Sequence, residues 1–470
     1  MLFDTPVYLL FLILVVVVYW RLSFRWQNRM LLLASYFFYG WWDWRFLLLM
    51  IASTLIDFVI AREIEDASSP SKRRALLIAS LIVNFTILGF FKYFNFFLDS
   101  TVHVLDAVGF HNVPRSFLAI ILPPGISFYT FQEVAYIVDV HAGRIKASRN
   151  FIEYGLFISL FPHLIAGPIQ RPSHLLPQVQ KPRAFSPTAF RDGCMLILMG
   201  FVRKAVIADN CAHLANAAFG GALGNNGWAT LIGSYAFAWQ IYGDFSGYSD
   251  IARGSAQLLG FHFMVNFRQP YLAVSLQDFW RRWHISLSSW LRDYLYIPLG
   301  GSRGSTRKTY RNLLTTMVLG GLWHGANWTF VVWGALHGAV LSIERWISGE
   351  HKVAPVEPSG IRKIGRQLLI FHIVCLSWIF FRAETVSGAF SMIRALGHFQ
   401  WSPEYSAAWL FLALLAGLGL AMDLQMEYSG GEYVFQNRSP ILAFGAAVTA
   451  MVFLILFSAS GNHAFIYFRF

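Results

Sequence analysis

Long apolar stretches separated by short polar connectors follow one another along the whole chain. An α-helix rises roughly 1.5 Å per residue, so about 20 apolar residues span the hydrocarbon core of a bilayer. The pattern predicts an all-α, polytopic integral membrane protein with about ten to twelve transmembrane helices. The candidate spans are 6–22, 29–42, 45–62, 75–97, 115–140, 151–168, 190–215, 228–243, 312–345, 367–382, 405–423 and 439–458.

Proline and glycine interrupt two of these apolar stretches. Pro123-Pro124-Gly125 lies inside one, and Gly167-Pro168 lies at the end of another. Non-helical backbone at membrane depth is tolerated where it is buried in protein or lines a wet cavity. We therefore predict helix breaks at both places and re-entrant segments around a central cavity.

The composition supports a membrane protein. Hydrophobic residues make up 56% of the 470 positions, charged residues 13%, and the mean hydropathy is +0.49. Soluble domains carry about 25% charged residues. We therefore expect a single membrane domain over residues 1–470 rather than several soluble domains.

The charge is strongly basic, with 37 Lys and Arg, 25 Asp and Glu, and a net charge of +12. The basic residues are spread through short loops, which is typical of cytoplasmic loops facing anionic lipids and not of nucleic-acid binding. We therefore expect membrane lipids as partners and no nucleic acid. Arg21, Arg25 and Arg29 follow the first span, and this predicts an outside N-terminus and a cytoplasmic first loop.

One histidine lies in an apolar stretch that has no charged residue between Arg311 and Glu344. This residue is His324, which directly follows Trp323 and lies three positions before Asn327. An ionisable ring at membrane depth is costly to desolvate and marks a functional site by default. The alternative is a neutral core histidine bonded to a carbonyl. We interpret His337, farther along the same stretch, as structural.

A second polar segment precedes this stretch. Read as one helix over Asp278–Tyr294, it carries Trp283, Leu287, Trp290 and Tyr294 on one face. An amphipathic helix of Trp and basic residues lies at the membrane interface. The residues that point away from the apolar face include Arg281, Arg282 and Ser288. An interfacial helix explains these residues better than it explains His284.

Two further segments offer candidate binding groups. Asp250 ends a glycine-bearing stretch and is expected either to cap a helix or to pair with Arg253. Arg303 lies in a basic glycine-bearing loop, residues 299–308, whose amides and cations suit a phosphate-bearing donor such as coenzyme A. A cytoplasmic basic loop is the simpler interpretation of the same residues. The spacing of His, Cys, Asp and Glu predicts no metal site.

Several strings together resemble the membrane-bound O-acyltransferase family, and within it the bacterial members that acetylate alginate. The matching strings are LLLASYFFYGWW (31–42), ILPPGISFYTFQEVAYIVDV (121–140), FPHLIAGPIQR (161–171), YGDFSGYSDIA (242–252), FWRRWHISLSSWLRDYLYIPLGG (279–301), GGLWHGANWTF (320–330) and FIYFRF (465–470).

This resemblance implies a ring of helices around a thinned, funnel-shaped core. N-terminal spans would occupy 1–120, a catalytic core 121–345 and C-terminal spans 367–470. It also implies two catalytic histidines, His324 as general base or organiser of the acceptor hydroxyl, and His284. We select as substrate- or donor-binding candidates Asn327, Trp323, Arg281, Arg282, Ser288, Asp250 and Arg303.

For the alginate-type members, the resemblance implies a multi-pass protein of the bacterial cytoplasmic (inner) membrane. It would take an acetyl group from a cytoplasmic thioester, acetyl-CoA or another acyl thioester, with no bound cofactor. The acetyl group would then pass to periplasmic proteins that modify an exported polysaccharide.

Four other functions remain open at this point. A D-alanyl transfer protein of teichoic acids and a peptidoglycan O-acetylating subunit are acyltransferases of the same kind. A transporter or channel without acyl chemistry would also contain an intramembrane histidine and broken spans. A purely structural subunit requires that both histidines be dispensable.

Overall fold

Every regular element in the described part of the computed structural model is a helix, and the all-α prediction is therefore confirmed. The structure describes residues 1–470 except 2, 4, 111–119, 166, 349–358, 437–438, 459–464 and 467–470, so most of the matching string 465–470 lies outside it. Tertiary contacts divide the chain into two units. One comprises residues 1–194 and 252–264, and the other residues 195–251 and 265–470.

The first unit is built mainly from the N-terminal helices. They are α1 (Pro6–Tyr19), α2 (Phe24–Gly40), α3 (Trp44–Asp66), α4 (Pro70–Leu88), α5 (Phe94–Ala107), α6 (Ile126–His141), α7 (Phe151–Ser159), α8 (Phe161–Leu164) and α9 (Pro172–Gln180). A π-helical turn over Gly89–Tyr93 joins α4 to α5.

Both predicted helix breaks are confirmed in this unit. Helix α6 begins at Ile126, directly after Gly125, and α8 ends at Leu164, before Gly167. Gly125 has a φ of 75°, and a Cβ added there would lie 2.3 Å from the carbonyl oxygen of Leu164. Glycine is therefore required at this break both for its backbone conformation and for the close approach of another chain segment.

The second unit carries the remaining helices. They are α10 (Pro187–Phe201, which begins in the first unit), α11 (Asp209–Phe219), α12 (Gly227–Leu258, which ends in the first unit), α13 (Leu276–Arg282), α14 (Ile285–Leu291), α15 (Thr306–His324), α16 (Trp328–Ile347), α17 (Gly360–Arg382), α18 (Val386–Ala395), α19 (Glu404–Ser429) and α20 (Pro440–Phe457). π-Helical turns cover Val202–Ala208 and Arg292–Tyr296, and a 3₁₀ turn covers Pro270–Leu272.

The predicted span 312–345 is a hairpin of two helices, α15 and α16, joined by residues 325–327. Glycines let the two backbones meet. A Cβ on Gly321 would lie 2.2 Å from the carbonyl oxygen of Phe330, and a Cβ on Gly334 would lie 2.3 Å from that of Met317. This contact leaves His324 at the end of α15, next to the turn.

In the described part of the chain, five helices are long and apolar enough to cross a membrane: Trp44–Asp66, Pro70–Ala107, Gly360–Arg382, Glu404–Ser429 and Pro440–Phe457. This is fewer than predicted. Apolar helix α1 has only 14 residues, and the predicted span 151–168 is divided between the short helices α7 and α8. The ring arrangement and the division of the chain at residues 121 and 345 stay predictions.

Candidate active site

His284 interrupts the helical path between α13 and α14. Its backbone is left-handed, with φ 42° and ψ 53°. This conformation costs a residue other than glycine about 1–3 kcal/mol, although histidine adopts it more readily than most residues. Such strain is kept where the surroundings enforce it, and it is common at functional sites.

The single amphipathic helix predicted over 278–294 is wrong at this point. Helix α13 ends at Arg282 and α14 begins at Ile285, with His284 between them. Helical spacing could not reveal the break, because neither proline nor glycine marks it. The predicted apolar face is nevertheless buried at Trp283, Leu287 and Trp290.

The buried residue Asn266 holds this break and the start of α14. Its backbone oxygen accepts a hydrogen bond from the Ile285 amide at 2.9 Å. Its side-chain Oδ1 accepts from the Ser286 amide at 3.3 Å and from Ser286 Oγ at 2.9 Å, and lies 3.1 Å from His284 Nδ1. Asn266 Nδ2 donates to Ser249 Oγ at 3.0 Å.

Sequence reasoning missed Asn266. It lies 18 positions before His284, in a connector without helical or strand periodicity. The only signal was a polar amide between Val265 and Phe267, in a chain where isolated asparagines are common. Its role depends on a contact that no spacing in the sequence predicts.

The imidazole of His284 is wholly buried. The ring of Phe245 meets it edge-on with centroids 4.6 Å apart. Burial lowers the pKa of His284 to about 3, because the apolar surroundings disfavour the imidazolium. The ring is therefore neutral at physiological pH. Its Nε2 is buried and has no hydrogen-bond partner in the described part of the protein.

His324 lies in an aromatic enclosure at the end of α15 and is only 2% exposed. Its ring centroid is 5.1 Å from that of Trp323 and 5.3 Å from those of Trp333 and Phe381. The Trp333 ring stands at 90° to the imidazole. This packing fixes the plane of the ring.

The two predicted catalytic histidines are neighbours. Their ring centroids are 6.3 Å apart, with 56° between the planes. A general base acts on a hydroxyl at about 2.6–3.2 Å, and the two rings are close enough to belong to one site. Trp323 packs against both rings, with its centroid 5.9 Å from that of His284.

Asn327, another predicted binding residue, caps α16. Its side-chain oxygen accepts from the Thr329 amide at 3.0 Å, and its Nδ2 donates to the carbonyl oxygen of Glu384 at 3.0 Å. These bonds hold the turn that follows His324.

Three more predicted binding residues are engaged with other protein groups. Arg282 forms ion pairs with Asp278 at 3.0 Å and Glu427 at 2.9 Å. Ser288 Oγ donates to the carbonyl oxygen of Trp283 at 3.0 Å. Asp250 lies 3.9 Å from Arg203. Arg281 and Arg303 are exposed, and Arg303 lies in the turn before α15.

His337 is a structural histidine. Its Nδ1 accepts from the indole N–H of Trp280 at 3.2 Å. Its Nε2 lies 2.8 Å from Ser377 Oγ, which itself donates to the carbonyl oxygen of Val374. Both ring nitrogens are thus held by protein groups.

Comparison with known proteins identifies the family of the chain. The profile of the "MBOAT, membrane-bound O-acyltransferase family" matches residues 140–381, which contain both histidines. "Probable alginate O-acetylase AlgI" of Azotobacter vinelandii is 44% identical over 441 residues, covering 93% of this chain and 86% of that protein. The chain belongs to the membrane-bound O-acyltransferase family.

Two further relatives support this assignment. "Probable alginate O-acetylase AlgI" of Pseudomonas aeruginosa is 44% identical over 85% of this chain and 75% of that protein. "Peptidoglycan O-acetyltransferase" of Helicobacter pylori is 37% identical over 78% of this chain and 73% of that protein. This MBOAT protein is a multi-pass membrane O-acyltransferase, as its sequence strings predicted.

Proposed function

We propose that this MBOAT protein moves an acetyl group from cytoplasmic acetyl-CoA across the bacterial inner membrane for O-acetylation of exported alginate. The neighbouring rings of His284 and His324, 6.3 Å apart, are the observation that carries the proposal. The alginate substrate is supported by two relatives that are 44% identical and bear that name, against 37% for the peptidoglycan enzyme. Periplasmic proteins would complete the modification of the polymer.

The site does not have to activate the acyl group, because a thioester is already activated toward attack. The acceptor hydroxyl oxygen attacks the carbonyl carbon, the new C–O bond forms and the C–S bond breaks. His324 takes the hydroxyl proton and returns it to the leaving thiolate. General-base catalysis of this kind contributes about 10²–10⁴ to the rate.

The loop 299–308 is our candidate for the phosphates of the donor. Arg303 is exposed in the turn before α15, and Arg307 and Lys308 are exposed in the first turn of that helix. Asn312 holds the loop by donating to the carbonyl oxygens of Leu299 and Gly301, both at 3.1 Å. A held loop with three cations suits phosphate groups. Changing Arg303 and Arg307 to Ala should raise the KM for acetyl-CoA more than it lowers kcat.

The decisive experiment is mass spectrometry of exported polymer from cells carrying the wild-type protein or His324→Ala. We expect O-acetylated alginate only from the wild type, with equal amounts of membrane-inserted protein in both. The matched control is His398→Gln, which changes an exposed histidine. Normal acetylation in the His324→Ala cells would rule out His324 as the base.

The same samples separate the alternatives. Loss of acetyl groups from peptidoglycan, or of D-alanine from teichoic acid, would identify another acceptor or acyl group. Purified protein that neither transfers nor hydrolyses the acetyl group of acetyl-CoA would contradict the donor assignment. Polymer acetylation that survives loss of both histidines would favour a structural subunit.

A further inference from the structure

We propose that Asn266 is a positioning residue that holds the proton of His284 on Nδ1, so that His284 presents the lone pair of Nε2 to a second hydroxyl of the acceptor, beside the one that His324 deprotonates. This inference rests on the proposed role of His284 in O-acyl transfer. On this proposal, His284 accepts a hydrogen bond through Nε2. Asn266 takes part in the reaction only by acting through His284.

The orientation of the Asn266 amide follows from its neighbours. A backbone amide can only donate, so the side-chain atom 3.3 Å from the Ser286 amide must be the oxygen. Asn266 Nδ2 then faces Ser249 Oγ at 3.0 Å, where a hydroxyl can accept. The two contacts agree on one orientation of the amide.

The position of the imidazole proton follows from that orientation. Asn266 Oδ1 lies 3.1 Å from His284 Nδ1. A carbonyl oxygen has no proton to give, so a hydrogen bond forms only if Nδ1 carries the hydrogen. In histidine, the partner of one ring nitrogen decides the protonation of the other. The neutral ring of His284 therefore has a bare lone pair on Nε2.

That lone pair determines which substrate group His284 can bind. Nε2 is buried without a hydrogen-bond partner in the described part of the protein, and a buried polar atom left unpaired is costly. The group that binds Nε2 must be a donor, as a hydroxyl of the acceptor is and the thioester carbonyl is not. Because the reacting hydroxyl has one proton, which His324 takes, His284 would hold a second hydroxyl of the acceptor and would not donate to the developing oxyanion.

A purely structural role for Asn266 must be separated from this one. The same residue accepts from the Ile285 amide and so supports the left-handed backbone at His284. A variant lacking the side chain keeps that backbone bond but loses the contact with Nδ1. The test must therefore report on the ring itself and not only on the stability of the protein.

The first measurement is nitrogen NMR of the full-length protein in lipid, labelled with ¹⁵N-histidine and free of donor. The His284 signals are identified as those missing from the spectrum of His284→Gln. We expect a protonated Nδ1 and an unprotonated Nε2. A His284 ring protonated on Nε2 would overturn the proposal, whatever the protein acetylates.

The second measurement compares variants. Asn266→Leu removes the acceptor, and we expect a mixed protonation pattern with kcat lowered by about 10² or more. Asn266→Asp keeps an oxygen for Nδ1 and should retain most of the activity. The added carboxylate favours the imidazolium, so the acid side of its pH–activity profile should move to higher pH.

The matched control is Asn28→Leu. Asn28 is also a buried asparagine, donating to the carbonyl oxygen of Val179 at 2.9 Å and accepting from Arg183 at 2.6 Å. Its loss should affect folding in a comparable way while leaving the His284 spectrum and the pH profile unchanged.

The outcomes distinguish the two proposals. An Nδ1-protonated ring that is disturbed by Asn266→Leu, in a protein with no acetyl transfer, would contradict the proposed function alone. If Asn266→Leu left the ring protonation and kcat unchanged, or if Asn266→Asp left the pH profile in place, Asn266 would be only a structural residue.

Discussion

The ring centroid of His284 lies 6.3 Å from that of His324, although the two residues belong to different elements. His324 ends a long helix, whereas His284 is a residue with strained backbone between two short helices. The candidate site therefore depends on two local structures that form for unrelated reasons.

If the two imidazoles act on one bound acceptor, their contributions should not be independent. We expect His284→Gln and His324→Gln each to lower kcat by about 10²–10⁴, and the double variant to be little worse than the more impaired single variant. The rates of acetyl-CoA turnover by the purified wild type, the two single variants and the double variant form a double-mutant cycle that measures this coupling. Losses that multiply in the double variant would show that the histidines act separately.

The left-handed backbone at His284 should select among side chains of similar size. Asparagine tolerates this conformation and a β-branched side chain does not. We expect His284→Val to be less stable than His284→Asn by about 1–2 kcal/mol, with both inactive. Thermal unfolding in detergent measures the difference. Equal melting temperatures would mean that the backbone relaxes without cost.

The stability of the protein should depend on pH partly through His284. Burial lowers its pKa to about 3, whereas the unfolded chain binds a proton near pH 6.5. Between these values the unfolded state holds more protons, so stability is complete above about pH 6.5 and is lost as the pH falls toward 3. Melting temperatures at pH 7 and pH 5 should differ more for the wild type than for His284→Gln. An identical pH dependence in both proteins would contradict a buried, neutral ring.

Asn327 allows capping to be separated from substrate binding. Its contacts cap α16, and loss of a cap costs about 0.5–2 kcal/mol. We expect Asn327→Ala to lower the melting temperature and Asn327→Ser, which can still cap, to restore it with nearly normal kcat. A Ser variant that is stable but inactive would return Asn327 to the list of substrate-binding residues.

The sequence predicted the features of the fold that local rules govern. Helix breaks at Gly125 and before Gly167 follow from proline and glycine chemistry, and the all-α class follows from apolar runs of membrane-spanning length. The described part of the chain has fewer long apolar helices than predicted spans, because hydropathy does not reveal whether an apolar run is one helix or two short ones, as in α7 and α8.

The candidate site was predictable only at residues that lie in the rare sequence strings matching the family. His284 and His324 were recognised from such strings, and the structure makes them neighbours. Arg282 and Ser288 were selected because they lie beside His284 in the sequence, yet protein groups already bind their side chains. Asn266 was missed because its importance arises entirely from tertiary contact.

The meeting of backbones at Gly321 and Gly334 has a consequence for an enzyme that works within lipid. No side chain separates the two helices there, so a change of rotamer cannot shift them past each other. Bilayer thickness or lateral pressure can displace His324 only if the two helices of the hairpin, α15 and α16, move together. The position of this imidazole relative to α16 should therefore be insensitive to the lipids that surround it.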